Sequence, residues 1–370
     1  MKKLMVYPYD KDLSSIARYK DMIIDYELVS IVALKGMNFQ EKDASYVDGG
    51  KEIGLKISDS FEEEINKCDV VLFLYSDYVI SQEDYEKKIE LALLRKKEII
   101  IQSSLEKKLK LKKEIKNKIQ ILEENPVDYK EKIVWNYRRG IIEISTPVIL
   151  VFGAGIHCNK FEIQLSLRRR FVKDGYKVSQ LGTKEFSKIF GFSSLPDFIY
   201  DSNIDFSIRI LALNHYIYEM QINEKPDIFI IGMPLGIMPI DLDNNNRFGE
   251  MANIISSAVQ GDIGIISMYF NEHICSDEFL EMSNHCKYNL HCETEYFSIA
   301  NSSYSRDLAG TEKDKYITIN NTEKADDIVA KNKEIFQKNG LNIYSVFNEA
   351  DEKDIYENII NNLSENVVVI

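Results

Sequence analysis

Residues 148–171 read VILVFGAGIHCNKFEIQLSLRRRF. Residues 148–152 are apolar without a break, the pattern of a strand buried on both faces. Gly153 and Gly155 follow, and after Lys160 the residues Ile163, Leu167 and Phe171 fall on one helical stripe, with Gly175 as a natural stop. Strand, glycine turn and helix, in that order, form the setting of a phosphate-binding loop. Such a loop needs glycine for close backbone approach, a helix N-terminus aimed at the anion, and a lysine followed by a magnesium-binding hydroxyl. Two parts depart from that pattern. Asn159 stands where glycine usually precedes the lysine, and Phe161 takes the place of the hydroxyl. Asparagine tolerates left-handed backbone better than other non-glycine residues, so the loop can still form. Loss of the hydroxyl argues against ordinary magnesium-nucleotide hydrolysis. The competing reading is a plain tight turn, because two glycines after a strand are common.

Outward from this stretch the chain keeps alternating. The 370 residues are enough for two domains, which the pattern divides into 1–145 and 146–370 at Thr146-Pro147. Before it, LMVYPY, YELVSIVAL, DVVLFLYSD and EIIIQSS read as strands, and LSSIARYKDMI, SFEEEINKC and QEDYEKKIELALLRKK as helices. Ser58 or Ser60 is a candidate cap for the second of these. This predicts a small Rossmann-like βαβ sheet ending near residue 104. Leu105, Leu109, Ile115, Ile119 and Leu122 then mark one face of a lysine-rich helix, read either as an anionic docking surface or as a solvated face. ENPVDYKEK reads as a linker and GIIEIS as an edge strand or lead-in. After it, DSNIDFSIRILALNHYIYEMQI predicts a long helix capped at Asp201 or Ser202. Strands and helices continue to a terminal helix, EKDIYENIINNLS. The expected fold is α/β with mainly parallel sheets, the second domain being the larger and P-loop-like.

Composition excludes several classes. The formal net charge of −13 disfavours general nucleic-acid binding. No apolar run is long enough to span a bilayer, and MKKLMVYPYDKD meets Pro8 and Asp10 too early for a signal peptide, so the expected place is the cytoplasm. Five cysteines, unevenly spaced, do not make a disulfide framework.

Other clusters carry weaker signals. His273, Cys275, His285, Cys286, His291 and Cys292 are soft ligands, but no two cysteines have knuckle spacing, and Cys286 and Cys292 fit a core equally well; no metal is expected. Two loops follow strand ends, where ligands of open α/β sheets bind. One carries Thr183, Lys184 and Ser187. The other, PLGIMPIDLDNNNRFGE, carries Gly236, Asp241 and Asp243 just beyond Gly232. The phenylalanines from 186 to 192 close a core edge on the plain reading. The aspartates read as a solvated loop or a cation site. Arg168–Arg170 lie behind the loop and are expected to pair with acids. No nucleophile elbow or triad is present.

The segments GAGIHCNKFEIQLSLRRRFVKDGYKVSQLGTKEFSKIFGFSSLPDF and PDIFIIGMPLGIMP resemble a family of peptide maturation system proteins, encoded beside ribosomally made natural-product peptides and their modifying enzymes. The resemblance spans nearly the whole chain and implies a setting rather than a reaction. More distantly, the chain is similar to SIMIBI-class P-loop proteins with a Rossmann-like N-terminal domain, a group that includes D-glutamate N-acetyltransferases. That likeness matches Gly153 to Lys160 in spacing and Asp205-Phe206 to an Asp-Phe pair, and it places Gly232 where the group keeps a strand-end acid. Together these point to a nucleotide or coenzyme A held by Gly153, Gly155, Asn159, Lys160, Phe161, Thr183, Lys184, Gly232 and Gly236. Expected partners are a precursor peptide or a peptide-modifying enzyme, with a homodimer as a further option. The expected role is an accessory protein of peptide maturation without strong hydrolysis. A transferase or ligase using acyl-CoA or a nucleotide, and a scaffold without ligand, remain as alternatives.

Overall fold

In the computed structural model the described residues are 1–76, 78, 81–122, 140–305, 317–320 and 322–365. The chain forms two compact units, Met1–Pro126 with Lys184–Ser194, and Val127–Thr183 with Leu195–Ile370. It is an α/β protein whose two main sheets pair their strands in parallel.

The first unit carries strands β1 (Lys2–Tyr7), β2 (Tyr26–Val32), β3 (Ile57–Ser58), β4 (Val70–Phe73), β5 (Glu98–Gln102) and β6 (Gln120–Leu122) in the order β3-β2-β1-β4-β5-β6. This is the Rossmann order, with the reversal at β1. Its helices are α1 (Ser14–Arg18), α2 (Phe61–Glu64), α3 (Gln82–Leu94), α4 (Ser103–Lys108) and α5 (Lys113–Lys116). Helix α3 begins where the sequence invites it: Ser81 Oγ accepts from the Asp84 N–H, and Glu83 and Asp84 sit in the first turn. Ser60 occupies the cap position of α2 but makes no side-chain cap bond. The expected helix over 13–23 shortens to α1 between two 3-10 turns.

The lysine-rich stretch corrects the sequence reading. It is not one helix but α4, a break at Leu109 with extended backbone, α5, and then β6, which pairs with β5. Leu105, Leu109 and Leu111 are all buried, so tertiary packing and an open strand edge outweighed helical spacing. The sheet therefore does not end near residue 104. The linker expected at 124–132 lies outside the described residues. Residues 140–145 form no strand and act as a lead-in, its backbone held at Ile142 by both ends of the Asn214 amide.

The second unit carries β7 (Val148–Gly153), β8 (Val178–Gly182), β10 (Ile228–Gly232), β11 (Ile263–Met268), β12 (Thr294–Ile299) and β15 (Asn342–Ser345), in the order β15-β12-β11-β7-β10-β8. The short β9 (Ser193–Ser194) falls in the returning segment, and β13 (Ser302–Tyr304) pairs antiparallel with β14 (Ile317–Ile319). Its helices are α6 (Lys160–Lys173), α7 (Phe206–Glu224), α8 (Glu250–Ala258), α9 (Ser276–Asn289), α10 (Thr322–Lys338) and α11 (Glu349–Glu365). All six residues of β7 are buried, as the unbroken apolar run requires for the centre of a parallel sheet. Val148, Leu150 and Phe152 face a core built with α7, α8, α9 and α10. Ile149 and Val151 face a second core built with α6 and α11.

Helix α6 ends in a Schellman motif: Tyr176 N–H donates to Phe171 O, Gly175 N–H to Val172 O, and the Phe171 and Tyr176 rings meet at 5.6 Å. Gly175 takes φ +89°, which glycine adopts without strain. Helix α7 starts later than expected. Its cap is Asp205, whose carboxylate accepts from Ser207 N–H, rather than Asp201 or Ser202.

Candidate functional site

The strand order of the second unit reverses at β7, which lies between β10 and β11. The loop 153–160 leaves the carboxyl end of that strand, where open α/β sheets bind ligands.

The loop is fixed through its carbonyls. Gly153 O accepts from Ile237 N–H at 3.1 Å. Ala154 O accepts from Asn246 Nδ2 at 2.9 Å, Ile156 O from the Tyr269 hydroxyl at 2.6 Å, and His157 O from Ser302 Oγ at 2.6 Å. Cys158 O accepts from Ser267 Oγ, and Asn159 O from Ile163 N–H at 3.1 Å. Gly155 O accepts from Lys160 Nζ at 2.6 Å and from Cys158 Sγ at 3.0 Å. Every carbonyl from 153 to 159 is therefore engaged. The backbone amides of Gly155, Ile156, Cys158 and Asn159, by contrast, donate no hydrogen bond among the described residues. His157 and Asn159 lie in left-handed backbone, at φ +54° and +58°. Departures of this kind turn successive amides to one side and build anion-binding hollows. Asn159 does here what the sequence allowed it to do, and its Oδ1 accepts from Asn301 N–H at 3.2 Å.

Lys160 opens α6 and is buried. Its ammonium donates to the carbonyls of Gly155 and Leu235. Phe161 is 3% exposed, so the ring that replaces the hydroxyl is core material. Gly232 ends β10, and a Cβ there would stand 2.3 Å from Gln164 Nε2. The fully buried Gln164 amide thus fills the space in front of that strand end, with Nε2 donating to Lys160 O and Oε1 bonded to no described residue. Gly236 is as tightly constrained: a Cβ would meet Ala154 O at 2.3 Å and Asn246 Nδ2 at 2.2 Å.

Gly153, Gly155, Asn159, Lys160, Gly232 and Gly236 are thus brought to one loop cluster. Thr183 ends the preceding part of the second unit, whereas Lys184 opens the segment that belongs to the first unit. Ser187 Oγ is spent on Lys184 O at 2.5 Å, and Phe186, Phe190 and Phe192 are buried there. Asp241 is a loop anchor: its carboxylate accepts from the Tyr304 hydroxyl and from the N–H groups of Asp243 and Asn244. Asp205 caps its own helix. Arg169 and Arg170 reach Glu352 at 3.1 and 3.5 Å, while Arg168 donates to Val178 O. Cys286 and Cys292 belong to the core, and burial pushes the Cys286 thiol up to about 12. No group of three or more His, Cys, Asp or Glu side chains among the described residues can hold a metal ion.

Sequence reasoning missed Asn246, Gln164, Ser267, Tyr269 and Ser302, the groups that hold the loop in place. Only Gln164 left a trace, lying one helical turn after Lys160. Asn246 sits in a run of three left-handed residues, Asn246, Arg247 and Phe248 at φ +47°, +51° and +55°, a costly backbone for L-residues. Its buried amide, donating to Ala154 O and Met238 O, is among the contacts that hold it.

Fold and site together define a two-unit α/β protein with a Rossmann-order sheet and a strand–glycine-loop–lysine–helix unit. A crystal structure of a DUF1611 family protein from Anabaena variabilis ATCC 29413 is similar with a TM-score of 0.60, over 99% of this chain and 100% of that one, at 11% identity. That likeness is one of fold. An apo-form GTPase from Pyrococcus abyssi reaches a TM-score of 0.33 at 12% identity, over 60% of this chain and 98% of that one. The ATP complex of a Cyanothece McdA variant reaches 0.35 at 11% identity, over 61% and 99%. Values this low carry no argument about the chain. No family model matches it, and no curated protein does. No helix among the described residues is long and apolar enough to cross a membrane.

Proposed function

We propose that the second unit binds a phosphate-bearing ligand, a nucleotide or coenzyme A, on the loop 153–160 without strong hydrolysis. One observation carries this reading: the loop spends all its carbonyls on the protein and leaves the amides of Gly155, Ile156, Cys158 and Asn159 without acceptors among the described residues. Such amides at a helix start attract an anion. Lys160 supplies a cation that donates to the neutral carbonyls of Gly155 and Leu235, and a phosphate would offer it a stronger, charge-assisted bond. With Phe161 in the core and Gly232 at the strand end, no hydroxyl or carboxylate stands at either place for a magnesium ion. The resemblance to peptide maturation system proteins gives the setting: an accessory role in maturing a ribosomally made peptide, with the precursor or its modifying enzyme as partner.

The test is titration calorimetry of the purified chain with ATP and with coenzyme A, beside Lys160→Ala. Binding of one of them, weakened about tenfold or more by the substitution, is expected for loss of a charge-assisted contact. Failure of both to bind at millimolar concentration sinks the proposal. So does steady ATP turnover abolished by Lys160→Ala, which would make the site a working hydrolase.

A further inference from the structure

The first unit contains a cavity of about 520 Å³ that the sequence reading passed over. Its walls come from Tyr7 at the end of β1, the residues following β2 and β3, and the start of α3. The chain runs from β1 outward through β2 and β3, then crosses to β4 on the other side of β1. The cavity therefore lies at the carboxyl ends of the strands around the reversal, where open α/β sheets take their ligands.

Its chemistry is the opposite of a phosphate site. The turn after β1 is Tyr7-Pro8-Tyr9-Asp10, with no glycine and with a proline that offers no N–H. The first turn of α3 already carries Glu83 and Asp84 on its dipole. Three carboxylates, Asp59, Glu62 and Asp84, line the cavity against two ammonium groups, Lys35 and Lys88. Asp84 and Lys88 satisfy each other. Lys88 pairs with Asp84, the Tyr7 hydroxyl donates to Asp84 at 2.5 Å, and the Lys88 ammonium lies 4.8 Å from the Tyr7 ring centroid. The carboxylates of Asp59 and Glu62 make no hydrogen bond or ion pair among the described residues, and neither does the Lys35 ammonium. Two carboxylates and one ammonium without an ion pair among the described residues thus line the cavity, with Leu34 and Met37 supplying apolar wall.

We propose that this cavity binds a small organic amine, its ammonium on Asp59 and Glu62 and its apolar body against Leu34 and Met37. This site is independent of the loop in the second unit. Phenethylamine and phenylacetate, which share a ring and differ in charge, are the probes, titrated against the full chain by calorimetry. Phenethylamine binds and phenylacetate does not. The double substitution Asp59→Asn with Glu62→Gln weakens phenethylamine about tenfold or more, as removal of a charge-assisted contact should. Lys35→Gln leaves phenethylamine binding unchanged or tighter, and Lys160→Ala leaves it unchanged. Asp59, Glu62 and Lys35 lie outside the buried core of the first unit, so thermal melting of the double variant and of Lys35→Gln matches the parent. No detectable phenethylamine binding overturns the proposal. So does equal binding by the double variant, tighter binding of phenylacetate, or loss of binding in Lys160→Ala, which would place the amine in the other unit.

Discussion

The two units present the same topological opportunity and fill it differently. In each, a parallel sheet reverses at the strand that begins it, β1 in one and β7 in the other. After β7 the chain turns on Gly153 and Gly155, ties its carbonyls away and leaves amides open. After β1 it turns on Pro8 and buries Asp10, whose carboxylate accepts from Ser76 Oγ at 2.6 Å and from Asp12 N–H at 2.9 Å. The one loop is a set of donors, and the other a set of acceptors. Topology places a site at the carboxyl ends of the strands, and loop composition decides the sign of the charge it welcomes.

That contrast can be broken at its tightest point first. Gly232→Asp would force a carboxylate into the volume of the buried Gln164 amide, and a loss of about 3 kcal/mol or more in unfolding free energy is expected from overpacking and a buried charge. Adding Gln164→Ala should recover a substantial part. Denaturant midpoints for the three chains decide it; an undiminished midpoint for Gly232→Asp alone would mean that the amide is not fixed there.

Asp10 sharpens the other side. Burial pushes its pKa up to about 6, with Asp12 adding and the hydrogen bonds from Ser76 and Asp12, together with Lys184, opposing. An acid that holds its proton more tightly when folded favours folding at low pH. That contribution is complete below about pH 4 and is lost as pH rises through about 6, to a total of at most about 3 kcal/mol. Comparing urea unfolding of wild type and Asp10→Asn at pH 4 and pH 7 isolates it. The variant should gain on the wild type as pH rises, and parallel behaviour at both pH values would count against a buried, protonatable acid.

Smaller effects follow at the supports. Asn246→Ala removes two partly buried hydrogen bonds and frees Ala154 O, at an expected cost of about 2 kcal/mol. Hydrogen exchange should then rise in 153–160; exchange unchanged there would show that the loop does not depend on its neighbour. Tyr7→Phe takes one donor from Asp84 and leaves Lys88, so a loss of about 1 kcal/mol in thermal stability is expected. A larger loss would mark that network as the keystone of the first sheet.

The α/β class, the parallel sheets and the buried β7 could be read from unbroken apolar runs, because a strand covered on both faces has no polar side to show. Helix α6 could be read to its last turn, since Ile163, Leu167 and Phe171 fix its face and Gly175 its stop. The lysine-rich stretch could not. Its apolar residues suit a helix and a broken chain equally, and only the free edge of β5 made Gln120–Leu122 a strand. The start of α7 was misplaced because Asp201, Ser202 and Asp205 are all competent caps, and packing chose among them.

The sequence by itself determined which residues have the chemistry of an anion loop: two glycines for close approach, an asparagine fit for left-handed backbone, a lysine at the helix start, and no hydroxyl after it. Those properties reside in single residues and their neighbours. What only the tertiary structure decided is where the loop's polar groups point. Tyr269, Ser267, Ser302 and Asn246 lie more than eighty positions away along the chain, yet they take up the carbonyls that would otherwise compete for the amides. Their contribution depends on distance in space, which no local pattern records. The cavity beside Tyr7 arose the same way, from charges far apart in sequence that the sheet gathers at one end.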